Sequence, residues 1–290
     1  MNLTGGAVAH GAITVINAIS CGLGAALSIK LRTEAYVRLT NQPGRIEGHI
    51  LSDPQESTIL IEKTVMRVLK HFGVEKDYGA YVETRSDIPI ARGLKSSSAA
   101  ANAIALAVTA ALGEKVDDLT IINLGVDAAI EAGVTITGAF DDASASYLGN
   151  LVITDNRERK ILKHIRIKED YPVLILAPSE KAYTARSNVE RMKIIAKEVE
   201  ALHKMARVGD YWSAMTLNGI IYSTVLGYDT EVAIDALAAG ALAAGLSGTG
   251  PAVAAVVPEE KIREVKEAWR KYSGEIIETR INSEKAYAVR

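Results

Sequence analysis

The chain has 290 residues, 48% hydrophobic and 23% charged, a composition that suits a globular fold with a sizeable core and excludes disordered or fibrous classes. Its 33 basic and 35 acidic residues leave a net charge of −2, which argues against nucleic acid or an anionic membrane surface as the main partner. The lone cysteine, Cys21, admits neither an intramolecular disulfide nor a cysteine-rich metal cluster and fits a reducing cytoplasm.

The first 29 residues carry no Asp, Glu, Lys or Arg. They lack the basic start of a signal peptide, and Gly5, Gly6, Gly11, Gly22 and Gly24 break any apolar run, so loops and short strands are expected there. Partial alternation over Leu27 to Thr40 predicts a strand. Ile61, Val65, Val68 and Leu69 stand at helical spacing within Ser57 to His71, with Gly73 placed to cap that helix. A strand is expected over Tyr78 to Glu83, then helices over Ser96 to Leu112 and Leu119 to Ala132. Asn150 to Thr154 and Ile161 to Ile167 read as a hairpin around a polar turn.

Beyond a break at Lys168 to Tyr171, Val173 to Ala177 reads as a buried strand. Ser187 to Val208 reads as one long amphipathic helix, and Thr230 to Ala244 as an alanine-rich helix running into the turn Gly245 to Pro251. The uncharged stretch Ala236 to Val257 is interrupted by glycines before it could span a bilayer. A strand over Ala252 to Val257, a helix over Lys261 to Tyr272 and a strand over Gly274 to Thr279 close the chain. Mixed elements in two blocks predict an α+β protein of two domains, 1–168 and 169–290.

No Walker A loop, zinc-binding His-Glu-x-x-His helix or hydrolase nucleophile elbow is present. The segment that carries chemistry runs from Pro89 to Ala100 and includes Gly93-Leu94-Lys95-Ser96-Ser97-Ser98. Glycine followed by serines at a helix start leaves backbone N–H groups without intrahelical partners at the positive end of the helix dipole, which suits a phosphate. The alternative is an ordinary serine-capped helix. Gly248-Thr249-Gly250 is in turn open to reading as a tight turn or as a second glycine-rich loop at a site. The adjacent acids Asp141 and Asp142 lie among small apolar residues, an unusual setting for surface charge.

The segment Pro89 to Ala100 resembles the central phosphate motif of the GHMP kinases, Pro-x-x-x-Gly-Leu-Gly/Ser-Ser-Ser-Ala/Gly-Ala. Lys95 departs from the usual Gly or Ser. Because Ser is tolerated there, a positive φ is not required at that position, and Lys95 would add a charge near the phosphates. Ala9 to Ile19 sits where the relatives carry their first motif, with Ala12 in place of a reaction-centre lysine. Leu246 to Pro251 resembles the third, glycine-rich motif.

That resemblance implies a ribosomal protein S5 domain 2-like N-terminal domain and a ferredoxin-like C-terminal domain, with ATP and Mg²⁺ as cofactors. It implies phosphate contacts from Gly93 to Ser98, a metal held by Ser97 and Glu131, and Asp141 as the catalytic carboxylate. Arg186, in Tyr183-Thr-Ala-Arg186, matches a stretch that meets a substrate carboxylate, and a surface charge is the equal alternative. His10, Thr14, Asn17, Gly248, Thr249 and Gly250 complete the expected substrate contacts.

Within the family, Gly93 to Asn102 and Thr137 to Ser146 most resemble the archaeal-type shikimate kinases. This implies phosphorylation of the 3-hydroxyl of shikimate in aromatic amino-acid biosynthesis, by a cytoplasmic enzyme with neither nucleic-acid nor membrane partners. A homodimer is compatible with this reading. Homoserine kinase is the alternative on the same fold, and a non-catalytic small-molecule binding protein the alternative of another class.

Overall fold

The computed structural model describes residues 3–183 and 188–289. Its first sheet is organised by two long antiparallel strands, β1 (Thr4–Ile16) and β2 (Leu23–Thr40). Where loops and short strands are expected over the glycine-rich start, residues 4–16 form one long strand and a turn at 17–22 leads into β2. Within β1, Gly5 serves close approach rather than turning: a Cβ there would stand 2.2 Å from the carbonyl oxygen of Ala107.

β3 (Ile46–Ile50) is followed by α1 (Ile59–His71), which buries Ile61, Val65, Val68 and Leu69 as their spacing requires. Gly73, with φ +70°, donates its N–H to Lys70 O and ends that helix. β4 (Gly79–Ser86) lies parallel to β3 and antiparallel to the second half of β2. Three helices follow: α2 (Ser96–Leu112), α3 (Asp118–Glu131) and α4 (Phe140–Leu148). The first half of β2 then pairs with β5 (Leu151–Asp155), which forms a hairpin with β6 (Lys160–Ile165). One 18-residue strand thus carries a partner on each half of the same edge.

The second sheet is wholly antiparallel. After β7 (Pro172–Ala177) come α5 (Val189–Lys193), α6 (Ala196–Arg207), α7 (Tyr211–Leu226) and α8 (Glu231–Ala238). Then come β8 (Ala243–Leu246), β9 (Val253–Val256), α9 (Ile262–Trp269) and β10 (Glu275–Arg280), giving the strand order β10-β7-β9-β8. The last strand, β11 (Tyr287–Val289), returns to the first sheet beside β1.

Two helix expectations are corrected. The helix over Ser187 to Val208 is two helices among its described residues, because the chain tightens at Ile194–Ile195, where Ile195 N–H bonds Met192 O. The helix over Thr230 to Ala244 stops at Ala238. Gly240 takes φ +105° and Ala243–Leu246 pairs with β9, so strand pairing overrides alanine's helix preference. Helices α4 and α7 were not anticipated.

One core joins the second sheet, α6 and α7 to Ile13, Val15 and Ile16 of β1, so the far half of β1 is shared between the two sheets' packing. A second core lies between the first sheet and α1, α2 and α3. Each fully buried Ile, Leu or Val contributes about 1.5–3 kcal/mol. No helix among the described residues is long and apolar enough to cross a membrane.

Candidate active site

A cavity of about 410 Å³ opens where the two cores meet. Its walls come from β1 and the turn after it, the approach to α2, the α3–α4 connection and the turn between β8 and β9. Ile50, Leu60, Ile90, Val134 and Ile136 give it an apolar side, and Ser96, Ser97, Ser98, Asp141 and Asp142 a polar one. Across its mouth, Lys181 Nζ reaches Asp53 at 2.7 Å and Glu56 at 3.0 Å, while the Tyr183 hydroxyl donates to Glu56 at 3.1 Å.

The backbone before α2 takes left-handed conformations at Ala91 (φ +56°), Gly93 (φ +84°) and Lys95 (φ +64°). Lys95 thus adopts a left-handed backbone although it is not a glycine. Neither α2 nor α4 has a side-chain cap at its N-terminus, and both begin at the cavity wall. Two positive dipole ends therefore face one space, an arrangement that attracts anions.

Hydrogen bonds knit the three sequence motifs together. The Ser247 hydroxyl accepts from Thr14 N–H at 3.1 Å and donates to Gly93 O at 2.7 Å. Gly248 N–H donates to Thr14 Oγ1 at 2.8 Å, and Asn17 Nδ2 to Gly248 O at 2.8 Å. Ala12 N–H bonds Leu94 O at 3.3 Å. Gly93 is required by this joint, since a Cβ there would stand 2.0 Å from Ser247 O. Thr14 and Asn17 line the cavity, and their polar groups also hold the Gly248 turn.

The acidic pair occupies the first turn of α4, where the dipole favours negative charge. Asp141 is 4% exposed, and its Oδ1 accepts from Asn156 Nδ2 at 2.7 Å. The Asn156 carbonyl in turn accepts from the Thr154 hydroxyl at 2.6 Å, which fixes the amide's orientation. Gly24 of β2 makes room for the other oxygen: a Cβ there would lie 2.4 Å from Asp141 Oδ2. Burial pushes the Asp141 carboxyl above the usual range, against the pull of Lys95 and Asn156. Asp142 is pushed up to about 7 by burial and by Asp141, opposed by Lys95, whose Nζ lies 3.2 Å from Asp142 Oδ1.

Of the expected site residues, Gly93, Lys95, Ser96, Ser97, Ser98, Asp141, Thr14, Asn17, Gly248 and Thr249 line the cavity together. Leu94 buries its side chain in the core and contributes its carbonyl to the joint with β1. Glu131 is not in the lining; its carboxylate pairs with Arg67 of α1 at the protein surface. Gly250 is turned against the Tyr228 ring, 2.8 Å from where its Cβ would be. His10 is buried elsewhere, with Nδ1 lacking a partner among the described residues and burial lowering its pKa. Thr14 lines the cavity and His10 does not, and the register of β1 against β2 shifts between His10 and Gly11, where Lys30 and Leu31 of β2 are left unpaired with β1. Arg186 lies outside the described residues.

Sequence reading missed Asn156, Gly24 and Ser247. Ser247 lay inside a segment already singled out, whereas nothing local marks the other two.

Residues 60–150 match the GHMP kinases N terminal domain and residues 195–274 the GHMP kinases C terminal domain. The shikimate kinase of Methanosarcina mazei is 50% identical over 285 residues, 98% of this chain and 96% of the relative. That of Methanosarcina acetivorans is 48% identical over 288 residues, 99% of this chain and 97% of the relative. Among solved structures, the homoserine kinase of Cytophaga hutchinsonii superposes with a TM-score of 0.77 at 18% identity, covering 100% of this chain and 98% of its own. The mevalonate kinase of Methanococcus jannaschii gives 0.76 at 18% identity, with 95% and 98% covered. At that identity the structures speak to the fold alone.

Proposed function

This chain belongs to the GHMP kinases, and from that premise we propose that it transfers the γ-phosphoryl group of ATP to the 3-hydroxyl of shikimate. The substrate follows the archaeal relatives of 48–50% identity, which carry the name shikimate kinase along nearly their whole length. The observation that carries the chemistry is the meeting of the uncapped α2 N-terminus and the Asp141–Asp142 pair in one cavity.

In this reading the backbone N–H groups from Gly93 to Ser98 hold the triphosphate, with serine hydroxyls adding donors. Asp141 orients the accepting hydroxyl and takes its proton as the phosphorus–oxygen bond forms. A carboxyl raised by burial is a better proton acceptor than an ordinary one, and Asn156 fixes its rotation. The cavity's acidic and hydroxyl lining is an all-oxygen donor set, which suits Mg²⁺. Ser97 would hold it with oxygens of the acidic pair; Glu131 would join only by giving up Arg67. Bound there, the ion would shield phosphate charge. Arg186, three residues beyond the cavity-lining Tyr183, is the proposed partner of the substrate carboxylate.

The same reading divides the chain near residue 168 and puts the enzyme in the cytoplasm. Release of ADP coupled to each of shikimate, homoserine and mevalonate tests it. Turnover restricted to shikimate is expected; turnover of homoserine with none of shikimate would replace the substrate while leaving a kinase.

A further inference from the structure

Among the described residues lining the cavity, Lys95 carries the only positive charge. Its side chain is 7% exposed, and its backbone adopts φ +64°, ψ +31°, a conformation that L side chains with a Cβ disfavour. The ammonium stands where three elements converge. It pairs with Asp142 in the first turn of α4, it grows from the N-cap of α2, and a Cβ built on Gly248 would come within 3.0 Å of it. One cation thus pairs with Asp142 at the point between the N–H groups at the start of α2 and the acids.

We propose that Lys95 is a catalytic residue that bridges Asp142 and the terminal phosphoryl group of the nucleotide, keeping one hydrogen bond to the carboxylate and donating another to the group in flight. This rests on the kinase reading given above. An ammonium has three donors and no acceptor, so it can hold both oxygens at once. Without it, the terminal phosphate would approach two carboxylates with no intervening positive side chain, and charge developing on the phosphoryl oxygens would meet repulsion. Lys95 gives up no proton. The bond from the terminal phosphorus to the ADP oxygen breaks, the bond to the acceptor oxygen forms, and the hydroxyl proton goes to Asp141. The competing role is that of a counter-ion that merely neutralises Asp142.

The test compares wild type, Lys95→Met, Lys95→Gly, Asp142→Asn and the double variant Lys95→Met/Asp142→Asn. Affinities for ADP and for a non-hydrolysable ATP analogue are measured by calorimetry without acceptor, and kcat is measured with shikimate. Lys95→Gly suits the left-handed backbone, so it reports loss of the charge even if Lys95→Met fails to fold. Both Lys95 variants should lose at least ten times more affinity for the analogue than for ADP, and kcat should fall on the order of 10²-fold. The double variant should stay as slow as Lys95→Met. Recovery of kcat and analogue affinity in the double variant, or equal losses for ADP and analogue, overturns the proposal in favour of the counter-ion. A wild type that binds nucleotide but ignores shikimate removes the substrate assignment and leaves the affinity comparison to decide on Lys95. A wild type that binds no nucleotide removes both.

Discussion

Asp141 and Asp142 are adjacent in the chain but live in different surroundings. Asp141 is locked between Gly24 and Asn156, while Asp142 faces Lys95. Asp141→Asn keeps the shape and removes the proposed proton acceptor, so kcat should fall on the order of 10²-fold with ATP affinity changed only modestly. Steady-state kinetics and nucleotide titration read the two apart; if Asp142→Asn is the more damaging in kcat, the base has been placed one residue too early. Gly24→Ala offers an independent probe. Its backbone has no positive φ, so alanine suits the strand's backbone, but the added Cβ collides with the buried Asp141 side chain and should lower kcat and melting temperature together. Unchanged kcat in that variant would mean the carboxylate's position is not limiting. The cavity-lining segment before α2 was legible because its glycine, lysine and serines are consecutive, and consecutive residues at a helix start share one geometry. Asn156 and Gly24 were not, since they reach Asp141 from strands closed by tertiary pairing. His10 was misplaced because its burial inside the fold, away from the cavity, is decided by tertiary packing that no neighbouring residue type announces.

Helix α2 was read to its end residues because Gly113, with φ +74°, closes it as the sequence suggests. The segment Thr230 to Ala244 failed for the opposite reason: alanine favours helix locally, and only β9, reached across a turn, draws Ala243–Leu246 into a strand. The approach to α2 also changes an expectation about Gly93. From sequence, Gly93→Val should abolish ATP binding and leave the fold largely intact; the structure instead packs Gly93 against Ser247 O. Even Gly93→Ala should therefore lower melting temperature and nucleotide affinity together, measured by thermal denaturation and calorimetry. Loss of affinity at an unchanged melting temperature would restore the original reading. Between α6 and β5, His203 hydrogen-bonds Thr154 O at 3.2 Å, and burial lowers its pKa below the usual 6.5. The unfolded chain then takes up that proton first, so this contribution is complete above pH 6.5 and is lost as pH falls below it. His203→Gln keeps a donor and removes the titration. Its melting temperature should gain on wild type between pH 8 and pH 5.5, and a gap that does not change with pH would contradict this.

At the scale of the molecule, the site exists because distant segments are held in one place. Thr14 and Ser247 are joined across 233 positions, and Ser247 and Gly93 across 154. Sequence order alone suggested that these motifs belong together; their mutual hydrogen bonds, and the use of β1 by both cores, needed the fold. The assembled cavity brings an uncapped helix start, an acidic pair and a buried ammonium to one point, an arrangement that suits phosphoryl transfer to an alcohol. The most direct measurement is phosphorus and proton NMR of the product formed from ATP and shikimate by the wild-type protein. Stoichiometric ADP and a single phosphate ester, with phosphorus coupled to the proton on carbon 3, is the predicted result. Inorganic phosphate with unmodified shikimate, or an ester at another hydroxyl, would contradict it.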